Sequence, residues 1–294
     1  MLTRISGHLR TWFGSSVVRP LELAEKHGPG TQIQQKVFIA VHSQGANGAS
    51  FADVGFSVYS EFEEDGILLF LFTRIGCGSR TVVEVGCGDG AQNNSTNLLV
   101  NHGWRGVLID ADPLNCERAR RLYAGLPSTK LLRPAVLCER VTPESVRSVV
   151  ESAGIFAGAV DLLSVDIDST DLWVTEALVW MQPRVIVVEI NARWGIGMSR
   201  TMPRDGAEGP VFDPKLGMIF GGASLTAFRK MLGRNGYRLI GSNRVATNVF
   251  FMRDDMGREE FPEISEQSVL ELPRAVQIQE ACAGRLGQYA WVEY

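Results

Sequence analysis

From residue 80 to 190 the chain alternates short apolar runs with stretches of helical period, the pattern left when helices cover a parallel sheet built from β-α-β units. The apolar runs predict strands at 81–85, 106–110, 131–137, 160–166 and 184–189. Between them, Asp112-Pro113 and Thr142-Pro143 are cap and first-turn pairs, and Gly103, Gly125 and Gly154 stand where helices should stop. Helices are thus expected over 94–102, 113–124 and 143–153. A fourth starts near Thr170, with Trp173, Ala177, Trp180 and Met181 as a core stripe. Residues 192–222 break the rhythm with glycines, prolines, methionines and aromatics in no period, which suits a lid over a substrate. Ser224 then caps a helix that turns Leu225, Phe228, Met231 and Leu232 inward and ends near Gly236. Tyr237–Ile240 and Val249–Met252 follow as strands, so the sheet should finish in an antiparallel hairpin.

The first and second strands carry the candidate chemistry. Val82-Val83-Glu84-Val85 runs into a turn with glycines at 86, 88 and 90, and the next strand ends on Asp110, a spacing suited to a nucleoside-bearing cofactor. Glycine allows a sharp turn and close approach of backbone N–H groups to a ligand, while an acid at the second strand's tip can accept ribose hydroxyl protons. Gly86, Gly88 and Ala91 also satisfy the dinucleotide pattern, which keeps an NAD-linked oxidoreductase open.

Composition narrows the classes. A chain of 294 residues with 45% hydrophobic and 21% charged content suits one α/β domain with additions at its ends. A net charge of −4 with scattered arginines, and no Asn/Asp-Pro-Pro-aromatic segment, speaks against nucleic acid as a partner. Five widely spaced cysteines suggest neither a disulfide framework nor a zinc site, and a reducing cytoplasm is the expected location. The longest apolar run, Ile67 to Phe72, is too short for a membrane span, and the N-terminus lacks a signal-peptide core. Near that end Ile5, Leu9, Trp12 and Phe13 recur at helical spacing beside Arg4 and Arg10. Such a stripe suits a membrane-surface helix or a homodimer helix, and more often packs on its own domain. The four histidines show no metal-ligand spacing, and His102 before Gly103 reads as a structural residue at a helix end. No G-x-S-x-G elbow or Walker loop is present.

The Glu84-to-Gly90 turn, Asp110 and the reversed ending together resemble the class I S-adenosylmethionine (SAM)-dependent methyltransferases over about residues 59–253. More narrowly, the segments Tyr59 to Leu68, Asn101 to Gly106, Asp161 to Asp168, Pro183 to Asn191 and Gly222 to Leu225 are similar to the FkbM-like branch. Ser60-Glu61 stands where that branch usually has Ser-Gln. The resemblance implies a Rossmann-like α/β fold: a seven-stranded sheet, mostly parallel with an antiparallel last strand, and helices on both faces. It also implies a methyltransferase domain at 59–253 with a lid insertion at 192–222, an N-terminal extension at 1–58 and a tail with a helix at 254–294. Members of this branch and neighbouring metal-dependent groups methylate hydroxyls, often on sugars.

In an open parallel sheet, ligands bind at the carboxyl ends of the strands. Gly86 and Gly88 would then let the methionine part of SAM lie against the turn, Asp110 would hold the ribose and Leu137-Cys138-Glu139 would border the adenine, with Glu84, Ala111 and Asp166 as further candidate cofactor contacts. A surface role suits Glu139 equally. Asp166 with Asp168, and Glu189 with Asn191, are i, i+2 pairs at neighbouring strand tips, oxygen donors that suit Mg²⁺. Asp166 and Glu189 are the candidate catalytic residues, and without a metal Asp166 is the candidate general base. The blander alternative has Asp168 or Ser169 capping the fourth helix and Asp171 enriching its first turn. The expected activity is SAM-dependent O-methylation of a saccharide or small natural product. The rivals are an NAD-linked oxidoreductase and a non-catalytic scaffold of the same fold.

Overall fold

A computed structural model describes residues 26–43, 48–206, 211–213 and 218–294, with the side chains of 211–213, 218–220 and 288 left aside. The stripe at Ile5, Leu9, Trp12 and Phe13, and the side chains of Phe212 and Phe220, therefore lie outside the described residues.

The helical and strand segments follow in the order α1 (Pro29–Ser43), α2 (Phe51–Val54), α3 (Glu64–Ile75), β1 (Thr81–Val85), α4 (Thr96–Asn101), β2 (Arg105–Asp110), α5 (Pro113–Gly125) and β3 (Ala135–Cys138). Then come α6 (Val146–Ser152), β4 (Leu162–Val165), α7 (Asp171–Leu178), β5 (Val185–Glu189), β6 (Arg200–Thr201), β7 (Val211–Asp213), β8 (Met218–Phe220) and α8 (Leu225–Arg234). The chain continues through β9 (Tyr237–Ser242), β10 (Asn248–Arg253), α9 (Gln267–Leu270), α10 (Pro273–Cys282) and β11 (Val292–Glu293). Seven strands form one sheet in the order β3-β2-β1-β4-β5-β10-β9. β10 runs antiparallel between β5 and β9, and the pairs among β1 to β5 are parallel. The expected Rossmann-like fold, with its reversed hairpin, is the one found.

The pleat divides the strands' side chains between two cores. Val83, Val85, Ile109, Leu163, Val165, Ile186 and Val188 face α6, α7 and α8; Val82, Leu108, Leu162, Val185, Val187 and Phe250 face α3, α4 and α5. Burying each such side chain contributes roughly 1.5–3 kcal/mol, enough to fix the register of every strand. On the second face Glu84 and Ser164 interrupt the apolar columns, and both bond Asn94 just ahead of α4.

Several boundaries differ from the sequence expectation. β3 begins at Ala135, not 131, because Leu131 is 92% exposed and Pro134 has no N–H to pair. α6 starts at Val146, since the Thr142 hydroxyl accepts from the amides of Glu144 and Ser145 and holds 143–145 as a turn. α4 starts at Thr96 because Glu84 takes the amides of Asn94 and Ser95. The stretch at 192–222 contains short strands: β6 pairs with β11 from the tail, and β7 pairs with β8. The tail carries two helices where one was expected.

Candidate active site

The carboxyl ends of the parallel strands β1, β2, β4 and β5 lie side by side at one end of the sheet. Gly86 and Cys87 leave β1 by donating their amides to the Ile109 carbonyl on β2 (2.8 and 3.1 Å). Gly86, Gly88 and Gly90 all have positive φ, but their surroundings differ. A Cβ at Gly86 would lie 1.7 Å from the carbonyl oxygen of Asp166, so glycine alone lets the turn abut β4. At Gly90 a Cβ would meet Ala119 and Tyr123 at 3.0 Å, while at Gly88 it would meet nothing within 4 Å. Gly88 thus faces open space, as a residue that admits a ligand should.

Asp110 is buried at the tip of β2, where Oδ2 accepts from the Gly88 amide (2.8 Å) and Oδ1 from the Asp112 amide (2.8 Å). The acid and the glycine turn are therefore one unit. Cys138 stands opposite Asp110 in the β2-β3 register, and the Glu139 amide donates to the Asp110 carbonyl (2.9 Å). Ala111 and the Glu139 side chain are exposed beside it. Glu84 is turned away from this group. Its oxygens accept from the Asn94 amide (3.0 Å) and from the amide and hydroxyl of Ser95, beneath the turn. Burial pushes the Glu84 carboxyl up to about 7.

Asp166, Asp168 and Glu189 present carboxylate oxygens that all lie within 4.8 Å of one another. Asp166 follows β4, tied by its amide to the Val85 carbonyl (2.9 Å), and Glu189 ends β5. The strand pleat does not bring Asp168 there, because β4 ends at Val165 and Asp168 adopts a left-handed φ of 56°. Burial raises the Glu189 pKa well above the ordinary carboxylate range, and repulsion from Asp166 and Asp168 adds to it.

Asn191 does not join the group by its amide. Its Nδ2 donates to the Gly221 carbonyl (2.8 Å), and its Oδ1 accepts from Arg193 through the backbone N–H (3.2 Å) and Nη1 (3.3 Å). Asn191 therefore fixes the base of the 192–222 segment.

Residues 58–65 have no role assigned from the sequence, although Tyr59 to Leu68 belongs to the resemblance above, and they carry the buried acids Glu64 and Asp65. Asp65 Oδ2 accepts from the amides of Val58 (2.7 Å), Tyr59 (2.5 Å) and Ser60 (2.9 Å), and burial raises this carboxyl to about 6. Glu64 accepts from Asn243 (2.6 Å) and from Asn248 (2.9 Å), which stands opposite Glu189 in the β5-β10 register. The Glu-Asp pair heading α3 was the visible signal. A groove of about 930 Å³ lies at the other end of the strands, between Trp180, Tyr237 and Arg253, and none of the expected site residues lines it.

No family model matches the chain, and no curated protein does. Among solved structures, it is similar to magnesium protoporphyrin IX methyltransferase (ChlM) from Synechocystis PCC 6803 with bound SAM. The identity is 12%, over 84% of this chain and 95% of that one, with a TM-score of 0.36. Cofactor-bound Rv0187 from MTB is 15% identical over 86% of this chain and 99% of its own, with a TM-score of 0.41. The glycopeptide N-methyltransferase MtfA complexed with SAM is 13% identical over 62% and 89%, with a TM-score of 0.37. At such identities and scores nothing about the reaction passes from them to this chain. No helix among the described residues is long and apolar enough to cross a membrane.

Proposed function

We propose that this protein is a SAM-dependent O-methyltransferase of the FkbM-like kind, acting on a hydroxyl of a saccharide or small natural product with a divalent cation such as Mg²⁺. The observation that carries the proposal is the meeting of three carboxylates with the glycine turn at one end of the sheet: Gly86 abuts the backbone of Asp166, whose side chain belongs to the acidic group. Both partners suit the residues present. Gly88 leaves space for a ligand beside Asp110, whose Oδ1 accepts from the Asp112 amide and from Asn115 (3.4 Å) and whose Oδ2, accepting from the Gly88 amide, retains a lone pair for a hydroxyl proton. Three clustered carboxylates are a hard-oxygen donor set, and a bound cation would offset the mutual repulsion that adds to burial in raising the Glu189 pKa.

When bound, SAM supplies a methyl on a positively charged sulfur, and the cation lowers the pKa of an acceptor hydroxyl. The protein's own residues do the rest. Asp110 and the turn would orient the nucleoside, while Asp166, Asp168 and Glu189 would hold the cation. Without a cation, Asp166 would instead be the group that takes the hydroxyl proton. The dinucleotide reading is less well supported. A pyrophosphate site needs a helix opening directly on the glycine turn, yet α4 begins five residues after Ala91 and Glu84 takes the Asn94 and Ser95 amides ahead of it.

The test is a screen of hydroxylated acceptors with SAM, Mg²⁺ and mass detection. A gain of one methyl on an acceptor, lost on EDTA treatment and in Glu189→Ala, supports the proposal. Transfer that is indifferent to both removes the cation from it. Cofactor binding with no turnover on any acceptor favours the scaffold.

A further inference from the structure

The structure assigns Asp171 as the positioning residue of this site: its carboxylate clamps the two amides on either side of Asp168 and so aims the Asp168 side chain at Asp166 and Glu189. Asp171 is 1% exposed. Its Oδ1 accepts from the Ile167 amide and its Oδ2 from the Ser169 amide, both at 2.7 Å. Between these two bonds sits Asp168 with φ 56°, a left-handed conformation that a residue with a Cβ adopts at a cost and keeps where its surroundings impose it. An acid placed to cap its own helix accepts from amides of the first turn that follows. Asp171 opens α7 but reaches back, to residues upstream of the helix.

A carboxylate suits this work better than an amide. Both oxygens accept, whereas asparagine would set an NH₂ against one of the two N–H groups. The clamp is braced from two sides: the Thr175 hydroxyl donates to the Asp171 carbonyl (2.7 Å), and the Gly222 amide donates to the Ser169 carbonyl (3.1 Å). The turn that carries Asp168 is thereby joined both to α7 and to the end of the lid segment. The function of the aimed carboxylate rests on the cation reading given above; the clamp itself does not.

Two measurements separate these claims. Hydrogen exchange followed by mass spectrometry over residues 165–170, in protein without added metal, reads the clamp: in Asp171→Asn the Ile167 and Ser169 amides should exchange at least about tenfold faster. Wild-type exchange in the variant would overturn the assignment whether or not a metal binds. Calorimetric titration with Mn²⁺ reads the aim: affinity should fall about 10- to 100-fold in Asp171→Asn, the usual effect of losing a residue that orients a ligand, while SAM affinity stays within about twofold. Equal Mn²⁺ affinity in variant and wild type would also overturn it. A wild-type protein that binds no Mn²⁺ removes the cation reading and leaves exchange to decide the clamp. If Asp171→Asn does not fold, Asp168→Gly/Asp171→Asn decides, because glycine takes the left-handed conformation without a clamp. The double variant should fold, and one as unfolded as the single variant would contradict the assignment.

Discussion

Alanine at Gly86 and alanine at Gly88 change the same motif by the same atom, yet the structure predicts opposite phenotypes. At Gly86 the new Cβ would stand 1.7 Å from the Asp166 oxygen and 2.7 Å from its carbon, where ordinary contacts lie at 3.4–4 Å. Both are backbone atoms and cannot swing aside, so β1 and β4 must part by about 1.5 Å or more at their tips. Parting endangers the bonds from the Asp166 amide to Val85 and from the Gly86 amide to Ile109. Two backbone hydrogen bonds at about 0.5–1.5 kcal/mol each, with about 1–2 kcal/mol for a left-handed alanine, give a loss of roughly 2–5 kcal/mol. That corresponds to a fall in Tm of about 5–15 °C. At Gly88 there is no clash and φ is 54°, so the strain alone remains, about 1–2 kcal/mol and a few degrees. There the methyl enters the space assigned to the cofactor, and SAM affinity should fall at least about tenfold, or 1.4 kcal/mol. Thermal melts and calorimetric SAM titrations of both variants decide the matter. Equal melting temperatures together with wild-type SAM affinity in Gly88→Ala would rule out these separate roles for the two glycines.

Three further outcomes follow from particular residues. Asn191→Ala should leave Mn²⁺ affinity within about threefold of wild type while Asp168→Asn lowers it at least about tenfold, since the Asn191 amide binds Gly221 and Arg193; calorimetry distinguishes the two. Burial raises the Glu84 carboxyl from 4.5 to about 7, so its stabilising contribution is complete below pH 4.5 and is lost as pH rises through 7. Melts between pH 5 and 8 should therefore fall less steeply in Glu84→Gln than in wild type. Asp65→Asn should loosen the 58–60 segment, because one oxygen serves three of its amides, and faster hydrogen exchange there is the check.

Where the sequence pattern and the structure agree, one face or one cap decides the local conformation. β1 spans Thr81 to Val85 as expected, because an apolar run ends on a glycine that no other residue could replace beside Asp166. Asp112 caps α5 and Ser224 caps α8, again as their side chains require. The departures arise where a distant partner decides. Leu131 and Leu132 are apolar but have no strand to cover them, and β6 exists because residues 292–293 pair with it from ninety positions away. The same holds in the candidate site. Asp168 and Asn191 lie beyond the ends of β4 and β5, where no pleat sets their direction; Asp168 reaches the group by a left-handed turn, and Asn191 is held elsewhere. Glu84 sits within the motif, but its face of the sheet directs it to Ser95.

If the glycine turn, Asp110 and the acids at the ends of β4 and β5 form one site, that site binds SAM. Calorimetric titration of the folded wild-type protein with SAM and S-adenosylhomocysteine tests it most directly. One saturable site of about micromolar Kd, roughly −8 kcal/mol, is expected, weakened by Gly88→Ala. No binding heat at millimolar ligand, from protein whose melt shows it folded, would contradict it.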